Sequence, residues 1–153
     1  MSKNILFKIS GSIAAYKSAF LISKLVQEGY QVQCVATPSA LKFMGAATLE
    51  GLSGRPVLSD IYEHGRMMDH IALNRWADLT ILAPATANRI NRMAQGLGDD
   101  LVGALFLSHD FKKPYLLAPA MNTKMLEHPA TQSALEKLIQ WGIEIQNPKH
   151  GAL

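Results

Sequence analysis

A chain of 153 residues with 48% apolar and 18% charged side chains has the size and composition of one globular domain, which excludes a disordered segment. The net charge of +3 comes from scattered lysines and arginines, with Lys112-Lys113 the densest pair. No stripe of basic residues points to nucleic acid, and no apolar run approaches the roughly 18 residues of a membrane span. Met1-Ser2-Lys3-Asn4 shows no signal-peptide pattern, and the single cysteine, Cys34, can form no internal disulfide. The expectation is a cytoplasmic protein without a membrane or nucleic-acid partner.

Taken in order, the chain alternates strand and helix. Residues 4–9 are a short apolar run, and Ser10-Gly11-Ser12 makes a turn. Residues 13–28 carry apolar side chains at helical spacing, with Gly29 as a stop. Residues 31–36 are valine-rich and read as a second strand, and Thr37-Pro38-Ser39 opens a helical stretch with proline in its first turn. Residues 46–54 form a short helix, a brief run surrounds Val57, and 59–69 have no period and read as a loop. Residues 79–83, bounded by Asp78 and Pro84, have the continuous apolar character of a strand buried on both faces. Helices follow over 88–94 and 101–107, around Gly96-Leu97-Gly98. A strand over 114–118, a helix over 130–141 and a last strand over 143–145 complete the chain. This alternation predicts a single α/β domain: a doubly wound, Rossmann- or flavodoxin-like, mainly parallel sheet with helices on both faces.

Ligands of such folds bind beyond the carboxyl ends of the strands, so four segments become candidates. Ser10, Gly11 and Ser12 offer hydroxyls and a close backbone approach before a helix, suited to an anion, although they form neither a G-x-G-x-x-G fingerprint nor a P-loop. Thr37 and Ser39 repeat that chemistry after the second strand; either turn is as readily an ordinary helix cap. The small residues Ala85, Thr86, Ala87 and Asn88 would admit a flat ring, and Pro119-Ala120-Met121-Asn122 sets a polar amide after an apolar strand. His70, by itself, could cap a short helix, sit exposed or act as an acid–base group. The remaining histidines lack metal-site spacing, and Cys34 falls mid-strand as a buried structural thiol.

In this order the segments resemble a known family, the homo-oligomeric flavin-containing cysteine decarboxylases. Ser10-Gly11-Ser12-Ile13-Ala14-Ala15-Tyr16-Lys17 is similar to the family's flavin-phosphate motif. The segment from His70 to Asp78 resembles its active-site histidine segment. Pro84-Ala85-Thr86-Ala87-Asn88 is similar to its Pro-Ala-Ser-Ala-Asn-Thr motif, and Pro119-Ala120-Met121-Asn122-Thr123-Lys124-Met125 matches Pro-x-Met-Asn-x-x-Met. The resemblance covers nearly the whole chain. It implies FMN as cofactor, bound by Ser10, Gly11, Ser12, Ile13, Thr37, Ser39, Ala85, Thr86, Ala87, Asn88 and Ala120, with no metal. It implies His70 as the base that takes a thiol proton, and Asn122 with Met125 as contacts to the substrate, Asn122 on its carboxylate.

The implied reaction is decarboxylation of a phosphorylated cysteine conjugate, 4′-phosphopantothenoylcysteine, in coenzyme A biosynthesis. A peptide ending in cysteine is the alternative substrate, and a non-catalytic flavin-binding regulatory subunit the alternative of another class. The family also implies a homo-trimer or a dodecamer, and leaves open fusion to a phosphopantothenate–cysteine ligase domain. Two departures stand out: Thr86 replaces serine, and Arg89 replaces threonine. The family continues into a flap with an Ala-Cys-Gly-Asp/Glu-like motif, whose start would fall at Lys149-His150-Gly151-Ala152-Leu153. The expectation is therefore one flavoprotein domain over 1–153, lacking that flap or cut before it.

Overall fold

The computed structural model describes residues 3–59 and 69–146. Most of the expected 59–69 loop, and the C-terminal residues where the flap motif would begin, lie outside the described residues. The elements run β1 (Asn4–Ile9), α1 (Ala15–Gln27), β2 (Gln31–Ala36), a 3-10 turn (Ala40–Lys42), α2 (Ala46–Ser53), α3 (Asp69–Trp76) and β3 (Leu79–Ala85). They continue with α4 (Ala87–Ala94), α5 (Leu101–Leu107), β4 (Tyr115–Pro119), α6 (Thr123–Glu127), α7 (Pro129–Gln140) and β5 (Glu144–Ile145). The strands form one parallel sheet in the order β2-β1-β3-β4-β5. This is the doubly wound α/β fold expected, and its switch point lies between β1 and β3.

Strand alternation divides the core. Ile5, Phe7 and Ile9 of β1 face Ala15 and Ile22 of α1 and Leu49 of α2. Leu6 faces the opposite way, toward Leu101, Val102 and Leu105 of α5. Further along the sheet, Leu82, Tyr115 and Leu117 pack with Ile90 and Met93 of α4 and Leu138 of α7. Both faces are thus covered, which is why the strands read as apolar runs.

Several local expectations need correction. The helical stretch expected after 37–39 is a single 3-10 turn, which Thr37 Oγ1 opens by accepting from the Ala40 amide at 3.0 Å. β3 does not stop at Ala83 but continues through Pro84 to Ala85, and its pairing with β4 shifts register between Leu82 and Ala85. Pro84 has no amide to donate, yet its carbonyl accepts from the Ser10 amide at 3.2 Å, so it serves one side of the sheet. The histidine segment forms a true helix, α3. Its carboxyl end is held by Lys113, whose Nζ donates to the carbonyls of Asn74 (2.7 Å) and Ala77 (2.8 Å). Asn74 ties the same helix to α5, donating to the Leu105 carbonyl at 2.9 Å.

Candidate functional site

Beyond the carboxyl ends of β1, β2, β3 and β4 the connecting loops converge on one cavity of about 580 Å³. The first wall is the Ser10-Gly11-Ser12 turn. Ser10 is buried and fully engaged: its Oγ donates to the Pro84 carbonyl at 2.5 Å and accepts from the Thr86 amide at 3.0 Å. It lines the cavity but acts as a rivet between β1 and β3. Gly11 lies flat against the β2 loop. A Cβ there would sit 2.7 Å from Ser39 Cβ and 3.0 Å from its carbonyl carbon, and would strike its hydroxyl, so only glycine fits. Ser12 accepts from the Ala14 amide at 3.1 Å, and α1 begins without a capping side chain.

Thr37, Pro38 and Ser39 form the facing wall, with Thr37 buried by its bond to Ala40 and Ser39 exposed. Gly11 thus lets the two turns meet, and the Ser12 and Ser39 hydroxyls with the amino end of α1 line one wall of the cavity, a cradle for a phosphate-like anion. Thr86, Ala87 and Asn88 follow along the cavity, with Thr86 Oγ1 capping α4 through the Arg89 amide at 3.2 Å. Ala120, Met121 and Met125 close the β4 side.

Three cavity residues were not expected from the motifs: Arg89, Arg92 and Asp100. Arg89 is only 4% exposed. Its Nη1 donates to Asp100 Oδ1 at 3.0 Å and its Nη2 to Asp100 Oδ2, a two-point pair, while its Nε is buried with no hydrogen-bond partner. Asp100 also caps α5, accepting from the Gly103 amide at 2.8 Å. Burial alone would raise the Asp100 carboxyl, but the bonds from Arg89 and Gly103 and the Arg89 charge outweigh it and hold it below the usual carboxylate range. Arg92, one turn on, pairs with Asp99. The available signal was the departure at Arg89 together with the Asp99-Asp100 pair before an apolar run.

Four expected site residues do not line this cavity. Ala85 is fully buried beneath it, its carbonyl accepting from the Ala120 amide at 3.0 Å. Ile13 projects outward, 59% exposed. Asn122 stands exposed at its edge, capping α6 through Oδ1 from the Met125 amide at 3.0 Å, which leaves the Nδ2 donors free. His70 is on the first turn of α3, half-buried; among the described residues its Nδ1 makes no hydrogen bond, and it does not line this cavity.

Hydroxyl-bearing turns and a helix start around a mononucleotide-sized cavity, at the switch point of a parallel sheet, define a cofactor-binding α/β protein. The chain belongs to the Flavoprotein family, whose profile matches residues 1–153. It is 42% identical over 155 residues to the probable phosphopantothenoylcysteine decarboxylase of Streptococcus mutans, covering 100% of this chain and 87% of that protein. It is 44% identical over 151 residues to the coenzyme A biosynthesis bifunctional protein CoaBC of Vibrio parahaemolyticus. That match covers 97% of this chain but 37% of the bifunctional protein. Among solved structures it is similar to the FMN-dependent cysteine decarboxylase SpaF, with a TM-score of 0.89 and 32% identity over 97% of this chain and 86% of that one.

Proposed function

We propose that this protein is an FMN-dependent decarboxylase of 4′-phosphopantothenoylcysteine, forming 4′-phosphopantetheine for coenzyme A synthesis. The observation that carries the reading is the convergence of four strand-end loops on one cavity, in a chain 42% identical to a protein named for that activity. The residues fit the cofactor: Ser12 and Ser39, brought side by side by the close approach at Gly11, suit the phosphate, and the small Thr86-Ala87-Asn88 wall suits a flat ring. When bound, FMN supplies the electron sink that a cysteine carboxylate lacks.

The chain's own groups do the rest. Asn122, its Oδ1 fixed in the α6 cap, offers Nδ2 donors to the substrate carboxylate without placing a charge against it. Met125 covers the substrate beside it. His70 takes the thiol proton. Because it stands outside its own chain's cavity, it serves the cavity of a neighbouring copy in a homo-oligomer, a trimer or a dodecamer built of trimers. An outward apolar stripe on and before α1, with Ile13, Tyr16 and Phe20 exposed by 59%, 57% and 73%, supports such a contact.

A cytoplasmic setting is part of the same reading; among the described residues no helix is long and apolar enough to cross a membrane. A ligase domain, as the length of the bifunctional relatives suggests, would act on the preceding step. The test is direct. FMN-loaded protein is given phosphopantothenoylcysteine or a peptide ending in cysteine, and carbon dioxide release is followed. Turnover of the first supports the proposal; turnover of the peptide alone would assign the other cysteine decarboxylase activity, and neither would leave a flavin-binding subunit.

A further inference from the structure

β1 carries a lysine where its apolar run leaves no water. Lys8 points to the α5 side of the sheet, between Val35 of β2 and Leu82 of β3, and is 0% exposed. Its Nζ reaches across β3 to donate to the Tyr115 hydroxyl at 3.2 Å, and lies 4.7 Å from the centroid of that ring. Among the described residues the ion pairs are Arg89–Asp100 and Arg92–Asp99, so no carboxylate answers the Lys8 charge. A hydroxyl and a ring face compensate poorly for a desolvated ammonium. Burial first, and the Arg89 charge second, bring the amine down to about 7.

The groups facing Lys8 come from every neighbouring element. Tyr115 belongs to β4, and burial raises its hydroxyl well above the ordinary value. His109 follows α5 and packs edge-on against Tyr115 at 5.1 Å; burial, then the Lys8 charge, lower it to about 4. Arg89 comes from α4, with Asp100 at the start of α5 ionised against it. Around neutral pH, Lys8 is the member of this cluster that changes charge. It also stands two residues before Ser10, so the cluster and the cavity share Arg89 and the end of β1.

We propose that Lys8 is the proton-linked element of the ligand cavity: an anion seated between the Ser10–Ser12 turn and Arg89 draws a proton from solvent onto the Lys8 amine. By reciprocity the anion binds more weakly as Lys8 loses its proton. The identity of that anion as FMN rests on the proposed function; the linkage itself does not.

Calorimetric titration of FMN into flavin-free protein at pH 7.5, in buffers of different ionisation enthalpy, reads the protons exchanged. Wild type takes up a large fraction of a proton, and its dissociation constant rises toward tenfold per pH unit between about pH 7 and 8.5. Lys8→Met binds FMN without that uptake and with a nearly flat pH profile. The ligand's own phosphate, titrating near pH 6, contributes equally to both proteins. Tyr115→Phe, which removes the hydroxyl acceptor of Lys8, moves the uptake to lower pH. Equal uptake in wild type and Lys8→Met overturns the inference while leaving the flavin reading intact. If FMN fails to bind, the flavin reading falls, and the same titration with inorganic phosphate decides the linkage.

Discussion

Replacing Lys8 by methionine removes the buried amine while keeping an unbranched chain of similar length. The fold lowers the amine from 10.5 to about 7. At about 1.36 kcal/mol per unit, holding it charged costs on the order of 4–5 kcal/mol. Against this stands the loss of the Tyr115 hydrogen bond and of the contact with its ring, together about 1–2 kcal/mol. The variant is therefore expected to be more stable than wild type by about 3 kcal/mol near pH 7. The pH dependence follows from which state holds more protons. Between about 7 and 10.5 the unfolded lysine stays protonated while the folded one does not, so wild-type stability rises with pH across that window. Below it the full cost is present, and above it none. Urea unfolding at one fixed protein concentration, at pH 6.5 and 9.5 with slopes compared, measures both quantities. A variant less stable than wild type by the same amount at both pH values would show that Lys8 is not an uncompensated charge.

Gly11→Ala should weaken FMN binding by at least about tenfold, measured by flavin fluorescence, because the new Cβ forces the Ser39 loop away from the phosphate cradle. Arg89→Met should cost about 1–2 kcal/mol at pH 7 by leaving Asp100 half-buried without its partner, a figure reduced for the exposure of Asp100. The Arg89–Asp100 coupling in a double-mutant cycle should disappear as pH falls through the depressed Asp100 range, where the carboxylate takes a proton; a pH-independent coupling counts against the ion pair. Asn122→Asp keeps the α6 cap, so the protein should fold and hold flavin. It should nevertheless lose turnover, since two carboxylates about 4 Å apart at an effective dielectric near 20 repel by about 4 kcal/mol. His70→Asn should likewise be inactive and yellow, but reassembled mixtures of His70→Asn and Asn122→Asp subunits should regain about a quarter of wild-type activity if each site is shared across a symmetric contact. No recovery would return His70 to its own chain.

The parts of the site carried by strand ends were legible in the sequence, and the reason is local. A fully buried parallel strand is a continuous apolar run, so the small and polar residues just beyond residues 9 and 36 mark where the sheet gives way to loops. What escaped is long-range or context-bound. Ser10 reads as a ligand hydroxyl, yet its partners lie more than 70 residues away, and nothing local announces that it is already engaged. Helix α3 has little periodic apolar character, and its stability comes from Lys113 and from Asn74 reaching α5. Lys8 interrupts the apolar run of residues 4–9, and nothing local marks it as buried; the packing of α5 on that face and Tyr115 of β4 beside it make it a core residue. His70 sits in a legible motif, but nothing in that motif places it outside the cavity of its own chain.

Arg89 connects these observations. At the position where the resembling family has threonine, the chain sets a guanidinium into the cavity wall, and Asp100 neutralises it from the α5 cap. The neutralisation is incomplete on the inner side: Nε has no partner, and the charge still bears on Lys8 behind the wall. With Asp100 paired to Arg89 and no carboxylate among the described residues beside Lys8, the region is short of negative charge, at the end of the sheet where an anionic ligand is expected to enter. An occupied cavity supplies that charge, which lowers the cost of burying the Lys8 ammonium and improves the surroundings of Arg89 in the same step. The destabilising lysine and the ligand cradle are then two halves of one electrostatic arrangement, and the instability of the empty state becomes part of the affinity of the loaded one.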